Sequence, residues 1–367
     1  MPTLITIATY EQSKTACFLK EKLENNGLDC FFSIINTDEG DWERVRVQVQ
    51  EEDVERAIKV MMRIKDEYGM DIEKIEPAGF ARRIIVPTDF SKGSEYACYY
   101  AIQLAQKINA EIKLLHVYQD PAAGLRIKES ASFMEYLKDA QMQTEEQAKT
   151  DMIDFTSKMK AFQVAEGGKP ARIHSTLVMG NIINSVRGIT KEYNPDFIVL
   201  GTRGRREDSR SVLGGLANNI INSLEVPVYA IPGPCSPEDF DKIRILYATD
   251  FNEKDHRSLE QLLKLMEPFD KQITCVHIDT AHNPAQTERM DELNLQLKSD
   301  FSQHDIQCRL IEDDDVFYGL KDYAARNDVN LLSFTVHKRG IFEKLFKPNL
   351  FKRILQESNL PILLFPS

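Results

Sequence analysis

Four glycines, Gly201, Gly204, Gly214 and Gly215, stand between the apolar run "FIVL" and the segment "EVPVYAIP". A glycine at the end of a strand tolerates positive φ and lets backbone N–H groups come close to a ligand. A helix starting just beyond adds orphan donors and partial positive charge. That pairing makes an anion site, most often for phosphate. The same residues also read as a flexible loop with a glycine where helix and sheet pack tightly, and glycines alone leave both readings open. A second group sits in "VPTDFS", where Thr88-Asp89 follow an apolar run. Asp89 there is a natural N-cap for the next helix, which does not prevent it from touching a ligand. His116 in "LLHVY" has no visible nucleophile partner, so it reads as a core or wall residue and not as a base.

The elements that must position these groups repeat. "RRIIVPTDFSKGSEYACYYAIQLAQKINAEIKLLHVY" finds an echo in "IRILYATDFNEKDHRSLEQLLKLMEPFDKQITCVHID", with Thr88-Asp89-Phe90 over Thr249-Asp250-Phe251 and His116 over His277. The later parts match too, "TLVMGNIINSVRGITKEYNPDFIVLG" lying over "LIEDDDVFYGLKDYAARNDVNLLSFT". The first copy is longer in its middle, around Gln119 to Ala165. Strands such as "RIIVPT" and "FIVLGT" are near-continuous apolar runs, as when both faces of a sheet are covered. Strands alternating with helices imply right-handed crossovers and parallel, doubly wound sheets. The fold class read from this is α/β, with two tandem Rossmann-like repeats at 82–233 and 242–367. Ligands of such sheets sit beyond the carboxyl ends of the strands, where both "PTDFS" and "GTRG" would lie.

Residues 1–77 read differently. "TLITIAT", a helix from about Gln12 to Asn26, "DCFFSII", "RVRVQV" and a helix from Glu51 to Tyr68 give βαββα, and a strand near "IEKI" would complete a small α+β ferredoxin-like domain. "EPAGFARR" and "PGPCSPEDFD" are the expected linkers, punctuated by Pro and Gly. The first domain is therefore expected to be separable.

Bulk properties exclude several classes. The chain has 367 residues and a formal net charge of −11, which argues against non-specific binding to nucleic acid backbones. No apolar run approaches the roughly 20 residues of a membrane span, and the N-terminus lacks the basic and apolar regions of a signal peptide. Cys17, Cys30, Cys98, Cys235, Cys275 and Cys308 are scattered without a CxxC pair. They are expected to be reduced, mostly structural thiols in a cytoplasmic protein, with no metal site.

A doubled α/β unit with "VPTDFS", "LLHVY" and "GTRG…LGG…VPV" resembles the universal stress protein family, a fold of the adenine nucleotide alpha hydrolase type. Its ATP-binding branch carries Gly-x2-Gly-x9-Gly followed by Ser or Thr, and Gly201, Gly204 and Gly214 keep that spacing. The resemblance spans nearly all of Arg82 to Ser367. The N-terminal segment is similar, on "GLDCFFS" and its element order, to small signal-transducing domains found in bacteria. The resemblance implies ATP or another adenine nucleotide as ligand, with Mg as its companion ion. It implies Thr88 and Asp89 near adenine and ribose, with Val117 offering backbone groups to the base. Gly201, Gly204, Gly214, Gly215 and Leu216 would cradle the phosphates, with charge from Arg203. Gly215 departs from the family's hydroxyl residue, which removes a bond to a charged group of about 1.5–3 kcal/mol.

The second repeat departs further. Thr335, Lys338, Pro348 and Asn349 occupy its four glycine positions, and Pro348 has no N–H to donate. It is expected to be a structural partner without a usable ATP site, its "HKRGIFEKLFKPNLFKRIL" plugging the vacant position. "EDDDV" reads as a solvated helix N-terminus. The insertion "SASFMEYLKDAQMQTEEQAKTDMIDFTSKMKAF" reads as a long helix packed on its own repeat.

The final strands "VPVYAI" and "LPILLF" would lie at sheet edges, where unpaired backbone groups invite aggregation. They are expected to pair antiparallel, Val226–Ile231 with Leu360–Phe365, making an intrachain pseudo-dimer that could itself form a further homodimer. Functionally, the reading is a cytoplasmic stress-response regulator that binds an adenine nucleotide in repeat one and acts through contacts with an unknown protein partner. A weak ATPase or nucleotidyl-transfer enzyme, and a nucleotide-free interaction module, are the alternatives. No base, nucleophile pair or metal triad supports catalysis.

Overall fold

The computed structural model describes residues 4–10, 13–36, 42–68, 82–121, 131–167, 170–202, 219–221, 223, 225–233, 240, 242–336, 353–354, 357 and 359–366. The chain is α/β and divides into two compact units, Met1–Phe90 with Asn109–Pro195, and Ser91–Ile108 with Asp196–Ser367. These units do not follow the repeat boundaries read from the sequence.

The first unit holds β1 (Leu4–Tyr10), β2 (Cys30–Asn36), β3 (Trp42–Gln50), β4 (Arg82–Pro87), β5 (Ala110–Tyr118) and β6 (Arg172–Met179) in the order β1-β3-β2-β6-β5-β4. The three N-terminal strands pair antiparallel, whereas β2, β6, β5 and β4 run parallel. The βαββα order is thus present, with helices at Ser13–Asn25 and Val54–Tyr68; the strand expected near "IEKI" lies outside the described residues. Independence does not follow, because β2 pairs along β6 from Phe31↔Ser175 to Ile35↔Met179. Burial of Phe31, Phe32 and Ile34 on one side and Leu177 and Val178 on the other explains why this seam closes.

Charges are buried along the same seam. Lys20 of the first helix donates to the Ser175 carbonyl at 2.8 Å, with its ammonium 4.5 Å from the Phe32 ring centroid. His174 of β6 lies between Glu24, 2.5 Å from Nδ1, and Glu111 of β5, 3.3 Å from Nε2. Tyr193 donates to Glu111 at 2.5 Å, and Arg83 stands 3.4 Å from the same carboxylate. Burial alone would depress the His174 pKa, but the Glu24 carboxylate and hydrogen bonds to Glu111 and Glu24 outweigh it and raise it above 6.5. Burial likewise pushes Glu111 upward, yet the His174 hydrogen bond and charge, then Tyr193 and Arg83, bring it down to about 2.

The signs of these shifts define a window. A raised histidine stabilises the fold fully below its unfolded pKa of about 6.5, and that contribution is lost as pH rises through the higher folded value. A depressed carboxylate contributes fully above its unfolded pKa of about 4.3 and loses that contribution as pH falls toward 2. Both contributions are complete between roughly pH 4.3 and 6.5. His174→Gln is therefore expected to lower the melting temperature more at pH 5.5 than at pH 9, followed by thermal denaturation across pH. An equal loss at both pH values would show that His174 carries no charge in the fold.

The second unit holds β7 (Phe197–Gly201), β8 (Val228–Ile231), β9 (Ile243–Ala248), β10 (Lys271–Asp279), β11 (Ile306–Glu312), β12 (Leu331–Val336) and β13 (Ile362–Pro366), in the order β7-β8-β13-β12-β9-β10-β11. Neighbours run parallel except at one seam, where β8 and β13 pair antiparallel through Ile362↔Ala230, Leu363↔Tyr229 and Leu364↔Val228. This is the pairing of final strands that edge protection demands. Tyr229 at its centre packs edge-on against Phe197, with ring centroids 5.2 Å apart, and is 1% exposed.

Three further sequence readings meet the structure here. The insertion forms the 36-residue helix Ala131–Glu166. It packs on β5 and β6 and buries Met152 and Met159, while Met134 and Met142 stay exposed. "EDDDV" is a helix start, where Asp315 caps the helix Val316–Arg326 by accepting from the Tyr318 N–H at 3.1 Å. Of the second repeat's substituted glycine positions, Thr335 is buried with its hydroxyl 2.6 Å from Tyr247 OH. Lys338, Pro348 and Asn349 lie outside the described residues, as does most of the basic aromatic segment around them.

Candidate functional site

In the first unit, "TDF" leaves β4 in a tight turn. Phe90 takes φ 62, which a bulky residue adopts only when its surroundings hold it there. Two clamps do so. The Thr88 hydroxyl oxygen accepts from the Phe90 N–H at 3.0 Å, and the Thr88 N–H donates to the Leu115 carbonyl at 2.8 Å. His116 of β5 donates its Nδ1–H to the Thr88 carbonyl at 2.8 Å, which fixes its tautomer. The His116 ring then lies 4.2 Å from that of Phe90, and Phe155 of the long helix approaches Phe90 at 5.4 Å.

The side chain of Thr88 is thus committed to the turn and buried. Asp89 is half-buried one residue on, and Val117, half-buried, follows His116 on β5. The structure brings these three together at the carboxyl ends of neighbouring parallel strands β4 and β5. Phe90 and Phe155 were not among the residues singled out from sequence. The recurrence of "TDF" in both repeats was the available signal for the first, and nothing in the sequence marked the second.

The second unit contains the same device. Phe251 takes φ 62, its N–H donates to the Thr249 hydroxyl at 3.0 Å, and His277 Nδ1 donates to the Thr249 carbonyl at 2.8 Å. The His277 and Phe251 rings lie 4.4 Å apart. Burial leads the causes that lower the His277 pKa, so a neutral imidazole fits its donor role. The surroundings differ, however. Asp250 is pushed up to about 6, by burial first and then by the nearby Asp255 charge. The Arg289 guanidinium lies 4.9 Å from the Phe251 ring centroid. Asp255 itself is buried and accepts from Thr249 at 2.7 Å and Tyr247 at 3.2 Å.

Gly201 ends β7 in the second unit. A Cβ placed there would come 2.4 Å from the Gly93 carbonyl oxygen and 2.6 Å from its carbon. The first turn of the helix Lys92–Ile108 abuts the strand end with no room for a side chain. At Gly201 the packing reading of the glycine is the one the structure carries. Thr202 follows, its N–H donating to the Ile231 carbonyl at 3.0 Å. Gly201→Ala should therefore lower stability by about 1–3 kcal/mol through overpacking, read from a urea midpoint without any ligand. An unchanged midpoint would mean that the helix shifts freely. Arg203, Gly204, Gly214, Gly215 and Leu216 lie outside the described residues.

Among the described residues no group of three or more His, Cys, Asp or Glu could hold a metal ion. No helix among them is long and apolar enough to cross a membrane.

Comparison with known proteins shows similarity to one family. Residues 81–232 match the model of the universal stress protein family. Over 154 residues the chain is 28% identical to universal stress protein MJ0531 of Methanocaldococcus jannaschii, covering 42% of this chain and 83% of that protein. The crystal structure of a universal stress protein from Archaeoglobus fulgidus aligns with a TM-score of 0.54 at 14% identity, over 77% of this chain and 98% of that one. A universal stress protein solved in complex with cAMP aligns with a TM-score of 0.29 at 20% identity, over 41% of this chain and 96% of its own.

Proposed function

We propose that the segment matching the universal stress protein family binds one adenine nucleotide per chain, ATP first among them, and that the protein acts as a stress-response regulator through contacts with another protein. The observation that carries this reading is the Gly201, Gly204, Gly214 spacing inside the family-matched residues 81–232. The roles follow from chemistry. Asp89 hydrogen-bonds ribose hydroxyls as an acceptor, and Val117 offers its backbone N–H and C=O to the adenine edge. Backbone N–H groups around Gly204, Gly214, Gly215 and Leu216 hold the phosphates, and Arg203 adds a guanidinium suited to phosphate oxygens. Gly201 packs against Gly93 at the end of β7, and its place in the spacing puts its backbone in the same cradle. Mg, if taken up, comes bound to the nucleotide phosphates.

The turn at Phe90 supports the same reading. Its left-handed backbone is held by Thr88 and His116, which fixes how the chain leaves β4 at Asp89. In the second copy Arg289 stands against the equivalent phenyl ring beside Asp250, and its glycine positions are substituted. This favours one nucleotide over two. We propose binding without dedicated turnover, since the sequence shows no paired base and nucleophile.

Mass spectrometry of small molecules released from freshly purified protein should find an adenine nucleotide. Calorimetry with ATP on stripped protein should give one site per chain. Gly204→Val and Gly214→Val should each weaken that binding at least tenfold while leaving the melting temperature of the nucleotide-free protein unchanged. Two equivalent sites, or unaltered binding in both variants, would refute the assignment. Absence of any bound nucleotide would favour the interaction module, and turnover of ATP above background would favour the enzyme.

A further inference from the structure

Cys275 and Cys308 are far apart in sequence but are register partners on the adjacent parallel strands β10 and β11. Side chains of register partners project from the same face of a sheet. Neighbouring strands lie about 4.7–4.9 Å apart, inside the roughly 4.4–6.8 Å Cα separation that a disulfide bridges. Both thiols are free. Their exposures differ in a useful way. Cys275, between β9 and β11, is wholly buried. Cys308, on the last strand in the order, is half-exposed.

The electrostatics around the two also differ. Hydrogen bonding between the Cys275 and Cys308 thiols shifts the two in opposite directions, Cys308 down and Cys275 up. That bond leads the causes that lower the Cys308 pKa; burial opposes it, and the positive charges of Lys298 and Arg309 assist it. The Cys275 thiol is raised by the same bond, by burial and by the Asp255 carboxylate. Cys30 offers a contrast, because burial pushes it up to about 12. A thiol that ionises more readily and is reachable from solvent, backed by a buried neutral thiol, has the layout of an attacking and a resolving cysteine.

We propose that Cys308 and Cys275 form a peroxide-sensitive dithiol, Cys308 attacking and Cys275 resolving. The Cys308 thiolate attacks one oxygen of hydrogen peroxide, the O–O bond breaks, and hydroxide leaves and takes up a proton as water. Cys308 is then a sulfenic acid. The Cys275 sulfur attacks the Cys308 sulfur, the S–O bond breaks, and the departing hydroxide carries off the Cys275 proton as a second water. Two thiols lose two electrons in total and one peroxide gains them. The product is a disulfide that ties the outermost strand of the second unit to its neighbour, and an external thiol reverses it by exchange.

The test uses the full reduced chain, treated with hydrogen peroxide, blocked with N-ethylmaleimide and digested without reduction. The expected product is a peptide pair linked through Cys275 and Cys308 that disappears on treatment with dithiothreitol. In Cys275→Ala the linked pair is absent, and dimedone labels Cys308 at least tenfold more than in the parent chain. In Cys308→Ser peroxide leaves Cys275 unmodified. Failure of the linked pair to form in the parent, or Cys308 unlabelled by dimedone in Cys275→Ala, would overturn the proposal. So would oxidation of Cys275 at the parental rate in Cys308→Ser.

Discussion

Lysine introduced at Val228 and Ile362 together should leave the chain unable to fold into a soluble form. The two strands carrying these residues meet antiparallel, with Val228 opposite Leu364 and Ile362 opposite Ala230. Val228 and Ala230 share one face of β8, and Ile362 and Leu364 share the matching face of β13, because side chains alternate with period two. Both ammonium groups would therefore project from one face of the seam. Val228, Ala230, Ile362 and Leu364 are all 2% exposed or less. Desolvating each ammonium costs on the order of several kcal/mol, and like charges so close add repulsion. The sum approaches the whole stability of an ordinary domain, about 5–15 kcal/mol. Expression should yield aggregate, and any soluble fraction should lack a cooperative thermal transition. Lysine at Val164, which is 81% exposed, is the control and should be silent. A soluble double variant that melts like the parent would mean that the seam contributes nothing to the fold.

Removing residues 1–77 is the second change with a large expected effect. Its own element order and the Pro/Gly linker after it led to the expectation that this segment is separable. The β2–β6 pairing reverses that expectation, since truncation strips the neighbour from β6 over the whole length of Phe31↔Ser175 to Ile35↔Met179. The freed edge would present unpaired N–H and C=O groups flanked by apolar side chains, a template for aggregation. The Ser175 carbonyl would lose the Lys20 ammonium, and His174 would lose one of its two carboxylates. Light scattering should show association of the truncated chain, and its melting temperature should fall well below that of the full protein. A monodisperse truncated chain with the parental melting temperature would restore the separable domain.

Much of this architecture was legible in local patterns. Apolar runs such as "RIIVPT" and "FIVLGT" marked buried parallel strands because a strand covered on both faces has no reason to alternate. The matched "TDF" and "HV" positions foretold two copies of one turn, and Phe90 and Phe251 indeed share φ 62 and the same threonine and histidine clamps. Thr88 was legible as important, and the structure adds that its hydroxyl accepts from the Phe90 N–H within the turn. That helix and sheet pack tightly at a glycine was legible as a reading of the whole glycine group, and the nearness of Gly93 places that packing at Gly201.

What the sequence determined by itself are the features set by neighbours along the chain: strand and helix periods, capping residues, the doubled order of elements, and the Gly201, Gly204, Gly214 spacing. What only the tertiary structure decided are the partners of edges and of buried charges. The strand Cys30–Asn36 carries no mark that assigns its second edge to Arg172–Met179. Backbone hydrogen bonds are chemically alike on every strand, and choice among them falls to burial of the surrounding surface. Lys20, Glu24, Glu111 and His174 form one cluster, and Cys275 meets Cys308, through the same strand registers. A register is a property of two segments at once, and no stretch of either one contains it.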